Sequence, residues 1–123
     1  MILMTYDEIK NLLSGISDAA TKLEVVMDIG AQLSPVPDGA TCNEIMGCAS
    51  RVEICRLKNH FYGTADSALV RGIVAIMIAM VDGKTNTEIK QLDLLGMFNA
   101  LNLNLGAGRL NGVNSMSRFL QNL

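Results

Sequence analysis

Cys42, Cys48, Cys55 and His60 crowd into one part of the chain, and His60 is its only histidine. Thiols and an imidazole so placed suggest three kinds of chemistry: a metal site, a Cys–His nucleophile pair, or a single thiol acting alone. The metal reading is weak on spacing. C-x5-C-x6-C-x4-H contains no tight C-x2-4-C knuckle, which structural zinc sites usually hold. A Cys–His pair needs the two groups in hydrogen-bond reach, usually with a third orienting the base. Nothing in the sequence supplies that reach, so His60 is expected to be exposed or partly packed. Cys55 reads as a strand residue facing the helices, and Cys42 as an incidental loop thiol.

Cys48 stands apart because of its neighbours. In NEIMGCASRV, Gly47, Ala49 and Ser50 leave it uncrowded, and Gly47 can take φ > 0 and turn the thiol outward. A thiol reacts as thiolate, so it also needs a lowered pKa, from Arg51 or from backbone N–H groups at the turn. Buried packing is the common role of a free cysteine. On residue chemistry alone packing stays favoured, with nucleophile the alternative. A second candidate, GAGRLNG (106–112), opens a helix with glycines that could face an anion. It matches no phosphate-loop pattern, and flexible helix entry is the simpler reading. Arg109 there sits in a first turn, where a cation is disfavoured, so a separate partner should hold it.

The elements that must position these groups follow from caps and periodicity. Thr5-x-x-Glu8 is a capping box for a helix from about Tyr6 to Leu13. Asp18 caps a second, whose face Leu23, Val26, Met27, Gly30 and Leu33 is ended by Pro35 and Pro37. Residues 34–50 form a long connection of the kind that is often functional, with an extended piece around Asn43–Met46. A strand begins at Arg51–Val52–Glu53–Ile54. Its alternation shifts at Cys55, which a bulge or a strand covered on both faces would explain. Lys58-Asn59 turns the chain into His60-Phe61-Tyr62, giving an antiparallel hairpin.

Asp66 or Ser67 then caps a helix over 68–81, apolar nearly all round and so the central buried one. Thr85-x-x-Glu88 starts a short helix to about Leu92, and Asp93 another through Ala100. The last helix should turn Leu110, Val113, Met116 and Leu120 inward. The layout predicts one domain over 1–123: an α+β fold with a small antiparallel sheet packed against several helices.

Composition removes several function classes. Half the residues are hydrophobic and mean hydropathy is +0.31, enough for a core without staples. A net charge of −2 argues against a nucleic-acid or anionic-membrane footprint. The longest apolar run, residues 73–81, is too short to span a bilayer, and MILMTYDEIK is not a secretory signal. Three cysteines, an odd and low count, read as a reducing compartment without a disulfide framework, so the expected location is cytoplasmic.

Four segments in order carry a resemblance. GCASRVEI (47–54), preceded by NEIM, resembles the N-x-[VI]-x-G-C-x-S-x-V signature of the SufE family. GRLNGV (108–113) resembles that family's second motif, an Arg followed three residues later by Gly. GTADSALVRGIVAI (63–76) and LEVVMDIGAQL (23–33) are similar to two of its helices. Departures are Glu53 where an aromatic is common, Gly108 where a serine is common, and Ala65-Asp66-Ser67 for Ser-Asp-Ala. The resemblance implies an IscU-like fold and a persulfide carrier that is not itself an enzyme, holds no cofactor or resident metal, and stimulates a partner. It implies Cys48 as acceptor of sulfur from a SufS-like cysteine desulfurase, with delivery toward a SufBCD-type scaffold. Gly47, Ser50, Arg51, Asp66 and Arg109 are then supporting or partner-facing residues. The alternative is an IscU-like metal or iron–sulfur scaffold using Cys42, Cys48 and Cys55.

Overall fold

The computed structural model describes residues 4–123. Helices α1 (Tyr6–Ser14) and α2 (Ala19–Gly30) precede strands β1 (Thr41–Glu44), β2 (Val52–Leu57) and β3 (His60–Ala65). Helices α3 (Ala68–Val81), α4 (Asn86–Lys90), α5 (Leu94–Asn99) and α6 (Ala107–Gln121) follow. Among the described residues this is an α+β fold of six helices and one three-stranded antiparallel sheet, ordered β1-β2-β3.

The helix starts are written locally. Thr5 and Thr85 each close a full capping box with Glu8 and Glu88, while Asp18, Ser67 and Asp93 accept from the first-turn N–H groups of α2, α3 and α5. Helix α3 is the centre. Its residues from Gly72 to Ile78 are all buried, with α2 on one side and the sheet on another. The α2–α3 approach is close because two glycines meet. A Cβ on Gly72 would strike the Val26 carbonyl, and one on Gly30 would strike the Gly72 backbone. On the sheet side a Cβ on Gly63 would strike Val74 and Ile78, so the face carrying Gly63 and its cross-strand partner Ile54 is the helix face.

That orientation corrects the reading of Cys55. The β2–β3 register is regular, without a bulge, so Cys55 points to the face opposite Ile54 and away from the helices. It is nonetheless only 1% exposed. Its cover comes from Tyr62 across one ladder and from Cys42 across the other, to which it is disulfide-bonded. Cys42 is therefore no incidental loop thiol, and the odd cysteine count concealed a pair plus one. The extended piece foreseen at 43–46 is β1, which starts two residues earlier.

Two helix faces also differ from expectation. In α2, Val26, Ile29 and Gly30 are buried while Leu23 and Met27 are half-buried, because the helix turns its tightest contact to Gly72; Leu33, also half-buried, lies beyond the end of the helix. In α6, Val113, Met116 and Leu120 face the core as expected, but Leu110 is 39% exposed. It falls in the first turn, on the solvent side of the arc set by Gly112 and Met116.

Candidate functional site

Strands β1 and β2 are joined by a loop whose two ends are tied. The Ile45 N–H donates to the Val52 carbonyl at 2.9 Å, and Ile45 is 5% exposed, packed in the core. Between these ties the chain arches over α6. Gly47 takes φ +90, and a Cβ there would run into the Ser115 hydroxyl, so glycine is required both by the backbone and by the space. The turn delivers Cys48 onto the start of α6. Its Sγ lies 3.9 Å from the Gly112 carbonyl, to which the thiol donates, and a Cβ on Gly112 would sit 3.3 Å from that sulfur. The thiol thus rests in a notch made by one missing side chain.

Val70 and Ile73 of α3 and Met116 of α6 complete the walls, with Ala49, Ser50, Gly108 and Arg109 at the rim. The cavity left under the loop is about 10 Å³, room for one water-sized group. A wider cleft of about 320 Å³ opens beside it between Ser50, Ser67, Leu105 and Arg109. Burial pushes the Cys48 pKa above the ordinary thiol value. The lowered pKa that the nucleophile reading requires is not supplied in this conformation. Arg51 is exposed and turned to Glu53, 4.0 Å away, and desolvation is the cause acting on the thiol. In this conformation Cys48 is a parked thiol whose thiolate form is disfavoured by burial.

The structure brings Gly47, Cys48, Ser50 and Arg109 together around the notch. Arg109 donates to the Leu105 carbonyl at 3.4 Å, the partner its position required. Asp66 is exposed in the bend before α3, next to Ser67 at the cleft wall. Met46 is 76% exposed, since Gly47 turns the chain immediately after it. His60 sits at the hairpin end, half-exposed, with Nδ1 3.3 Å from Asp82. Gly112 was not singled out from the sequence. Its signal was there in GRLNGV, but only the fold shows what the missing side chain makes room for.

The scaffold alternative loses its ligand set. Two of its three thiols, Cys42 and Cys55, are bonded to each other, and Cys48 lies on α6. Among the described residues no group of His, Cys, Asp and Glu is arranged to hold a metal.

Fold and site define a small α+β domain that carries one free thiol on a glycine-turned loop at the sheet edge. Residues 7–123 match the family described as SufE, Fe-S metabolism associated domain, and the chain belongs to that family. It is 31% identical to the sulfur acceptor protein CsdE of Escherichia coli (strain K12), over 93% of this chain and 84% of that protein. It is 30% identical to the cysteine desulfuration protein SufE of Wigglesworthia glossinidia brevipalpis, over 78% of this chain and 73% of that protein. The solution structure of a hypothetical protein from Thermus thermophilus superposes with a TM-score of 0.78. It covers 97% of this chain and 94% of that one at 14% identity, a likeness of fold. No described helix is long and apolar enough to cross a membrane.

Proposed function

We propose that the protein accepts sulfur from a cysteine desulfurase on Cys48 and relays it toward iron–sulfur cluster assembly. The observation that carries this reading is the parked thiol: the free cysteine, on a loop with small neighbours, seated over Gly112. Family membership and the two named relatives support the sulfur-transfer role.

The chemistry is sulfur displacement. The Cys48 thiolate attacks the terminal sulfur of the desulfurase persulfide. A new S–S bond forms at Cys48, the old one breaks, and the desulfurase cysteine leaves as thiolate. Seated on α6 with its thiolate disfavoured by burial, the parked thiol is poorly placed for this attack, so the loop leaves its notch on docking and returns with its cargo shielded. Exposed Met46 on the loop and exposed Leu110 in the first turn of α6 offer apolar contact to the desulfurase, and the exposed Arg51, Asp66 and Arg109 offer charge. Delivery to a SufBCD-type scaffold in the cytoplasm, and stimulation of the desulfurase, belong to the same reading.

The test is intact mass after incubation with desulfurase and cysteine. One added sulfur that reduction removes, absent in Cys48→Ser, is the expected result. Loading of Cys48→Ser to the wild-type level would refute the acceptor role. Stimulation of the desulfurase with no mass gain would make the protein an allosteric partner only.

A further inference from the structure

We propose that Cys42 and Cys55 form a second thiol site, a reversible disulfide that takes a vicinal-dithiol reductant and gates the loop carrying Cys48. The bond closes a ring from residue 42 to residue 55, with a sequence separation of 13, and Cys48 lies inside that ring. It therefore clamps the base of the acceptor loop from the side opposite Ile45.

Little else holds β1. It is an edge strand that pairs only with β2, and all four of its residues are exposed. The Ile45–Val52 hydrogen bond sets the ladder phase. Pairs 43–54 and 41–56 are hydrogen-bonded, while 42–55 and 44–53 occupy the closer, non-hydrogen-bonded positions. Cys42 and Cys55 accordingly have Cα atoms 4.0 Å apart. The neighbouring close pair on the same face is Glu44 opposite Glu53, a like-charge pair that opposes pairing and is relieved in part through Arg51, 4.0 Å from Glu53. A strand with no core side chain and a repulsive cross-strand pair depends on its covalent tie.

The exchange is directional. Cys42 is exposed and Cys55 buried, so a reductant thiolate attacks the Cys42 sulfur and Cys55 leaves as thiolate. The second thiol of the reductant then attacks its own sulfur in the mixed disulfide and expels Cys42. Two electrons pass from the dithiol to the pair, the reductant ends as a disulfide, and both cysteines take up protons. A disulfide-bearing oxidant reverses each step. With the bond open, β1 loosens from β2 and Cys48 leaves its notch more often.

That consequence for sulfur traffic rests on the acceptor role of Cys48; the coupling itself does not. The oxidised wild type and the Cys42→Ser/Cys55→Ser variant each carry Cys48 as their one free thiol. We expect iodoacetamide to alkylate Cys48 at least about threefold faster in the variant, and the Ile45 amide to exchange about tenfold faster. Wild type reduced with dithiothreitol, with labelled Cys48 read by peptide mapping, should match the variant. This comparison carries the test if the variant does not fold. Equal Cys48 and Ile45 rates in oxidised and reduced protein overturn the proposal, as does a bond that dithiothreitol cannot open without unfolding the chain. No desulfurase is used, so failure here leaves the acceptor role standing, and failed sulfur loading leaves the coupling standing.

Discussion

The two sides of β2 are built differently. On one side β2 and β3 form a hairpin that lays Ile54, Phe61 and Gly63 onto α3. Its turn is laced by Arg56, which donates to the Lys58 carbonyl at 2.8 Å and stacks over Phe61 at 4.9 Å. On the other side β1 brings four exposed residues, and its loop is held by a hydrogen bond, one apolar anchor, a disulfide and a thiol in a notch. Stability is concentrated where side chains interlock. The free thiol sits where contacts are few and each is separately breakable.

The sharpest way to break this contrast is Gly72→Ala. The added methyl meets the Val26 carbonyl, which belongs to a helix and cannot yield, so we expect about 3 kcal/mol of destabilisation in urea melts, at the upper end for overpacking. A loss below about 1 kcal/mol would mean that the α2–α3 contact is softer than its geometry. Gly112→Ala also places a methyl close to a partner, but the partner is the loop. The expected stability loss is under about 1 kcal/mol, while Cys48 alkylation rises several-fold because the thiol is displaced from its notch. Unchanged alkylation would show that the notch does not restrain the thiol.

The smallest effect is that of pH. The parked thiol has a raised pKa and the released one an ordinary pKa, so deprotonation favours release. The closed loop thus keeps its full stability below the ordinary thiol pKa and loses it as pH rises from there through the raised pKa of the parked thiol, where burial penalises the thiolate. Ile45 amide exchange, corrected for its intrinsic pH dependence, should quicken over that window in wild type and not in Cys48→Ser. A pH-independent loop would place the restraint in Ile45 and the disulfide alone.

Much of the fold was local and so readable. Caps at Thr5, Asp18, Ser67, Thr85 and Asp93 depend on hydrogen bonds within a few residues, and α3 announced itself by an apolar run with one charge. The site was readable only in outline. Gly47-Cys48 with small flanks signalled an uncrowded thiol, and the ordered motifs signalled the family.

What the sequence determined by itself is the set of elements, the family and the identity of the exceptional cysteine, because capping, periodicity and motif order are properties of neighbouring residues. Tertiary structure alone decided which partner each thiol has. Cys42 meets Cys55 because of a ladder register, and Cys48 meets Gly112 because α6 returns beneath the loop, 64 residues further along the chain. The same distance effect set the pKa direction of Cys48: the cation adjacent in sequence turns to Glu53, and the walls that desolvate the thiol come from α3 and α6.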